Sequence, residues 1–392
     1  MKLPLGYQYA TTYAGIRKVA KDDLAVILSA QPASAAAVFT QNRVQAAPVK
    51  LARKHLETSR GMVRAILINA GNANCATRTG EKVAAATCSA LAAKLRAPVS
   101  QIIPASTGVI GVELDAKLIV GSLPALLENL EKGTFEATAS AIMTTDLVPK
   151  TASAEMSVEG GKISIAGMTK GSGMIHPMMA TTLAFVMTDA RISAAHLKPI
   201  LKRANERSFS RLSVDGDTST NDTLVVLANG ASGKALTAKD QKIFEKVLTL
   251  LLEDLARQIA RDGEGASKLI TVEVSGTKTE NDAVRIARQI AKSPLVKTAV
   301  AGADPNWGRV ICAAGNAGVA FDPRKVDIAM QGIQVCKAGL AADFNEARLT
   351  KELSKKECLI QLNIRGGASG KARFFTCDFT EGYIRINASY RT

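Results

Sequence analysis

The chain has 392 residues, 47% of them hydrophobic and only 4% aromatic, and carries a formal charge of +15. That length suits two or three domains with a sizeable core. No apolar run of about 18 residues offers a membrane span, and no apolar leader follows the start, so a cytoplasmic protein is expected.

The basic surplus is dispersed, without blocks of like charge, and aromatic platforms are scarce. Nucleic acid is therefore not the expected partner, and small carboxylate substrates suit the surplus better. Six cysteines (Cys75, Cys88, Cys312, Cys336, Cys358, Cys377) form no CxxC pair, and His55, His176 and His196 have no ligand spacing. Reduced thiols and no metal are expected.

In chain order, strands are predicted at Leu24–Ser29 and Ala35–Thr40, separated by a Pro/Ser/Ala-rich turn, and at Arg64–Asn69. A helix covers Glu81–Leu95. A short strand at Gln101–Pro104 stops at Ala105-Ser106-Thr107-Gly108, and helices follow at Pro124–Glu131 and Thr134–Met143. Glu155–Ala166 reads as a hairpin turning at Gly160-Gly161. Beyond a strand at Thr181–Thr188, Ser193 caps a helix running to Ser208. Thr223–Ala228 is a strand, and Ala238–Arg261 a long amphipathic helix ending before Gly263. The pattern then repeats as strand Ser267–Ser275, helix Glu280–Ala291, a loop at Asp304–Gly308 and further strands, the last over Phe374–Ile386. Without strict βαβ alternation the class is α+β, with a soft boundary near Ala190–Ala195.

The chemistry concentrates in Lys170–Ala190, KGSGMIHPMMATTLAFVMTDA. A glycine-rich approach and a proline lead to two threonines at the mouth of an apolar strand. An ordinary loop feeding a buried strand, its hydroxyls satisfied by backbone, would look the same. The sharper reading is a nucleophile freed by cutting Ala180–Thr181: the Thr181 hydroxyl attacks the preceding carbonyl, and water then releases the ester. The new α-amine, with a pKa of roughly 7.7–8, can serve as base for its own hydroxyl. Thr182 is a rival hydroxyl. Ser106-Thr107-Gly108 could supply a hydroxyl and an N–H for an oxyanion, although such a tripeptide is also a common turn. His176 is the one histidine placed for a Ser-His-Asp arrangement, and packing within its loop is the plainer role. Gly366–Ala372 falls one residue short of a phosphate loop and ends in alanine, and no G-x-G-x-x-G follows a strand, so nucleotide dependence is not expected.

MIHPMMATTLAFVMTDA resembles the self-cleaving segment of the glutamate N-acetyltransferase / ornithine acetyltransferase family of arginine biosynthesis, usually M-x-x-P-N-M-A-T-M-L. GNANCATRTGEK, PASTGVIG, IMTTDLVPK, GMTKGSGMI, SFSRLSVDGDTSTNDT, RDGEGASK, GADPNWGR and CDFTEGYIRINASYRT follow as family-like blocks in family order. Met178 and Thr182 depart from the usual Asn and Met.

The resemblance implies an N-terminal-nucleophile-like α+β fold, a helix–sheet–sheet–helix sandwich with a second α/β lobe. It implies a precursor cut between Ala180 and Thr181 into chains 1–180 and 181–392, assembled as a heterotetramer of two each. Thr181 would carry the acetyl group, with Thr107 and Gly108 as oxyanion hole. Substrate contacts would fall on Thr144, Lys170, Thr181, Glu264, Asn387 and Thr392. The implied reaction moves acetyl from N2-acetyl-L-ornithine to L-glutamate without metal or organic cofactor, and leaves acetyl-CoA open as a second donor. Two other readings stand beside it: a self-processed amidohydrolase using the same Thr181, and a basic binding module without catalysis.

Overall fold

The structure is a computed structural model that describes residues 1–176, 182–366 and 368–389. It is α+β, with an eight-stranded and a six-stranded sheet. The first sheet contains β1 (Tyr7–Thr12), β2 (Leu24–Phe39), β3 (Met62–Asn72), β4 (Ile102–Val109), β5 (Lys150–Val158), β6 (Gly161–Lys170), β7 (Leu183–Thr188) and β8 (Thr223–Ala228), in the order β4-β3-β2-β8-β7-β6-β5 with β1 on β2. Its helices are α1 (Ala47–Thr58), α2 (Gly80–Leu95), α3 (Ala116–Glu128), α4 (Phe135–Ala141), α5 (Ala194–Arg207) and α6 (Ala238–Arg261).

This sheet makes a sandwich by folding over at β2. The first half of β2 pairs with β3, its second half with β8, and the register slips between Leu28 and Ala33. Such an irregularity lets one strand belong to both layers. Two strands and a turn were expected here. Pro32, which cannot donate to a ladder, sits at the slip, where no partner is demanded of it. Ile27, Ile66, Ile103, Phe185, Met187 and Val225 fill the space between the layers. Leu24, Val26 and Leu67 face outward beneath α2 and α3, and Val186, Leu224 and Val226 beneath α5 and α6. The layers are thus helix, sheet, sheet, helix.

The second lobe holds β9 (Leu269–Thr277), β10 (Val326–Met330), β11 (Ile333–Lys337), β12 (Leu340–Ala341), β13 (Glu357–Ile364) and β14 (Gly370–Cys377), in the order β12-β11-β10-β13-β9-β14. Its helices are α7 (Glu280–Lys292), α8 (Pro294–Ala301), α9 (Trp307–Gly315) and α10 (Glu346–Leu353), and α11 (Glu381–Ser389) closes the chain's described part. Ile286, Ile290, Val300, Val310 and Leu349 bury one face of the sheet.

Several boundaries move from expectation. β4 continues through Thr107 and Gly108 instead of stopping at a turn, because parallel pairing with β3 extends to Asn72. α3 starts at the Asp115 cap and contains Pro124, where a start had been expected. The hairpin turns at Glu159-Gly160, since Val158 pairs with Gly161. The largest correction is at the C-terminus: the strand ends at Cys377 and Glu381–Ser389 is helical. There Thr380 Oγ1 accepts from the Gly382 N–H, and Tyr383 and Asn387 bond one turn apart.

No helix among the described residues is long and apolar enough to cross a membrane, and no cluster of three or more His, Cys, Asp or Glu among them could hold a metal. All six cysteines are free.

Candidate active site

A cleft of about 360 Å³ opens between the sandwich and α11. Thr107, Gly108, Thr144, Lys170, Glu264 and Asn387 all line it. Six positions distant in sequence therefore meet in one place. Ala180, Thr181 and Thr392 lie outside the described residues.

Thr107 and Gly108 stand at the end of β4, where Asn72 pairs with both Thr107 and Val109. Gly108 has φ +132°, and a Cβ there would come within 2.2 Å of the Gly71 carbonyl carbon, so only glycine fits. A polar network fixes this strand end. Ser106 Oγ donates to Asn69 Oδ1 at 2.5 Å, and Asn221 Nδ2 donates to the carbonyls of Ser106 and Ala73 at 2.8 and 2.7 Å.

Lys170 is the last residue of β6 and pairs with Leu183, the first of β7. Its Nζ donates to Thr144 Oγ1 at 3.1 Å. Burial pushes this ammonium below its ordinary pKa, against the pull of Asp146, Asp222 and Glu264. Asp146 ties the two segments together, accepting from the N–H groups of Gly171 at 2.6 Å and Thr144 at 3.0 Å. Lys150 lies beneath, donating to Asp146 at 2.7 Å and to Asp262 at 2.5 Å with all three side chains buried. Burial opposes ionisation of Asp146, but Lys150, Lys170 and the hydrogen bonds outweigh it and hold the carboxyl at about 2.

Glu264 follows α6 at a bend, and its N–H donates to the Ser172 carbonyl at 2.9 Å. Its carboxylate fills the space that a side chain at position 173 would need: a Cβ on Gly173 would lie 2.2 Å from it. Asn387 Nδ2, reaching down from α11, donates to Glu264 Oε2 at 2.9 Å. The carboxylates of Glu264, Asp215 and Asp217 and the Lys170 ammonium thus share the cleft, with hydroxyls and the Gly108 strand end on its wall.

Two expectations about nearby side chains are clarified. Thr182, the rival hydroxyl, is only 3% exposed and accepts from Thr169 Oγ1 at 3.2 Å, outside the cleft lining. His176 is buried with Nδ1 3.2 Å from Ser213 Oγ. Burial, then Lys292 and Arg288, push its pKa down to about 4, leaving a neutral packing residue.

Sequence reasoning missed Asp146, Asn221, Asp222 and Tyr383. Asp222 is buried at the head of β8, and burial raises its carboxyl well above the usual range despite Lys170 and the Ser219 and Thr40 hydroxyls. The dense polar run Asp215–Asp222 was visible as a loop, but only the fold shows that it forms one wall of the cleft.

A closed α+β sandwich with a polar cleft of this size, walled by opposite charges, belongs to an enzyme that acts on small, charged molecules. Residues 8–392 match the family model described as "ArgJ family". The chain belongs to the ArgJ family. It is 42% identical over 401 residues to the arginine biosynthesis bifunctional protein ArgJ of Bradyrhizobium diazoefficiens, covering 100% of this chain and 96% of that protein. The protein of the same name from Geobacillus kaustophilus is 43% identical over 393 residues, covering 99% and 95%. The crystal structure of arginine biosynthesis bifunctional protein argJ from Bacillus halodurans superposes with a TM-score of 0.51 at 45% identity, covering 53% of this chain and 98% of its own.

Proposed function

We propose that the protein transfers the acetyl group of N2-acetyl-L-ornithine to L-glutamate through an acetyl ester on Thr181, in the arginine biosynthesis for which its relatives are named. The observation that carries this is the pairing of Lys170 with Glu264 across one cleft whose wall contains Thr107 and Gly108. Lys170 suits the α-carboxylate of an acylated amino acid, and Glu264 the δ-ammonium of ornithine. β7 begins beside Lys170, only two residues after Thr181.

Cutting Ala180–Thr181 frees the Thr181 amine, which takes the proton from its own hydroxyl as that oxygen attacks the acetyl carbonyl. Thr107 and Gly108 receive the developing oxyanion, a contribution of about 3–4 kcal/mol for one such donor. The C–N bond then breaks and ornithine leaves with the proton. Glutamate's amine attacks the ester, and N-acetylglutamate departs as the hydroxyl is restored. No metal or organic cofactor takes part, and acetyl-CoA serves as a second donor to the same hydroxyl.

Chains 1–180 and 181–392 stay together as two copies of each in the cytoplasm. The Bacillus halodurans chain, nearly all of which matches just over half of this one, is close in length to the piece beginning at Thr181.

The test is intact-mass measurement followed by incubation with N-acetylornithine, with and without glutamate. Two fragments, the second starting at Thr181, and a glutamate-dependent release of ornithine are expected. A single uncut active chain overturns the mechanism. Full-rate deacetylation without glutamate would make the protein an amidohydrolase.

A further inference from the structure

The charge of the cleft runs against the charge of the chain. Three carboxylates, Glu264, Asp215 and Asp217, face one ammonium, Lys170, among the described residues of its lining, in a protein of net charge +15. The three are gathered along a single short stretch. The Glu264 carboxylate lies where a Cβ on Gly173 would stand, and Asp215 Oδ2 accepts from the next N–H, that of Met174, at 2.6 Å. Asp215 Oδ1 accepts from the N–H groups of Ile175 at 2.9 Å and Asp217 at 3.1 Å. Adjacent Cα atoms are about 3.8 Å apart, so the acidic groups crowd one end of the cleft. Tyr383 stands among them: burial first, then Asp215, Glu264 and Asp217, hold its phenol above the ordinary range.

These carboxylates are engaged to different degrees. Asp215 is occupied by three backbone N–H groups and serves the loop. Glu264 is 8% exposed, and its side-chain partner, Asn387 Nδ2, is neutral. A buried carboxylate without a cation among the described residues calls for one from the substrate. Asp217 is exposed at the mouth, and its carboxylate has no hydrogen-bond or ion-pair partner among the described residues. Lys292 packs its chain toward Gly216 without pairing with it. The loop beneath Asp217 is fixed, because Thr218 Oγ1 donates to the His176 carbonyl at 2.9 Å and the Thr218 carbonyl accepts from Asn42 Nδ2 at 2.9 Å.

We infer that Asp217 is a specificity-determining residue that sorts the two amino acids using this cleft by the charge at their side-chain ends, favouring the cationic donor and opposing the anionic acceptor. The inference rests on the acetyl-transfer reading, in which both occupy the cleft in turn. N-acetylornithine brings an ammonium to the acidic end and gains a second carboxylate beside Glu264. Glutamate brings its γ-carboxylate to the same end and meets a like charge. One fixed charge acts on both, so its effects on them have opposite signs and similar size. Because Asp217 is exposed, water and salt screen each effect to a factor of about three to five.

The experiment measures initial rates of the full-length protein with N-acetylornithine and glutamate each varied. In a two-step transfer, kcat/KM for each substrate reports its own half of the reaction. Asp217→Asn removes the charge, while retaining the side chain's shape and the backbone N–H that Asp215 holds. It should lower kcat/KM for N-acetylornithine about three- to fivefold and raise kcat/KM for glutamate by a similar factor. Asp217→Lys should widen both shifts, and raising the ionic strength should narrow the gap between wild type and either variant. A merely structural role would lower both values together. That result, movement of one value without the other, or no movement at all, would overturn the inference and leave the transferase reading standing. Absence of transfer by the wild type refutes that reading, and the inference with it.

Discussion

Replacing Lys150 by methionine tests the buried charge cluster under the cleft. The substitution nearly preserves volume but removes the cation that both Asp146 and Asp262 contact. Two carboxylates are left without it in a site where water does not reach, and stripping one partner from such a cluster costs about 3–5 kcal/mol. The part carried by Asp146 can be gauged separately. Its fall from 3.8 to about 2 corresponds to about 2.5 kcal/mol. The folded carboxyl is the stronger acid, so this stability is present above pH ~4 and is lost as pH falls toward 2. Urea unfolding at pH 7 should therefore show Lys150→Met destabilised by about 3–5 kcal/mol, and at pH 3 the gap to wild type should narrow. A loss below about 1 kcal/mol at pH 7, or a gap that ignores pH, would refute the electrostatic account. Replacing all three residues by apolar ones of similar size should recover much of the loss.

His176 gives a second pH signature. Its pKa of about 4, below the ordinary 6.5, means that the unfolded chain binds the proton first, so stability falls by up to about 3 kcal/mol between pH ~6.5 and ~4. His176→Asn should flatten that slope in denaturant titrations. Gly108→Ala forces a Cβ into the Gly71 backbone at a positive φ, so acetyl transfer should drop at least a hundredfold, roughly the effect of losing an oxyanion donor. An active alanine variant would show that the two strands can part. Gly173→Ala has no backbone strain to overcome but displaces the Glu264 carboxylate. Steady-state kinetics should show KM for N-acetylornithine rising with melting temperature nearly unchanged, and an unaltered KM would remove Glu264 from the ammonium's site.

The regular elements were legible wherever local pattern and final structure agree. Ser193 caps α5 as its position announces, β8 spans Thr223–Ala228, and α6 runs from Ala238 to Arg261 behind a capping box of Thr237 and Asp240. Errors arose where partners decide. β2 is one strand because β3 and β8 hold its two halves, which no window of sequence reveals. At the C-terminus, the alternation of YIRIN resembles a strand, while capping by Thr380 and the absence of a paired neighbour make it a helix. Thr107, Gly108, Lys170 and Glu264 were found through family-like blocks. Asp146 carries no such mark: it looks like any loop aspartate until Lys150 and the Gly171 N–H are seen converging on it.

The strand order also bears on how a processed molecule would come into being. β7 and β8 follow position 181, yet they lie between β2 and β6, which precede it. The first fragment alone lacks the middle of the sheet and the second lacks the strands on either side of it, so assembly before scission is the only direct route. Denatured halves would have to find each other by collision, and their yield on removing urea should climb with protein concentration. The Thr181→Ala chain, still in one piece, should renature equally well at any dilution.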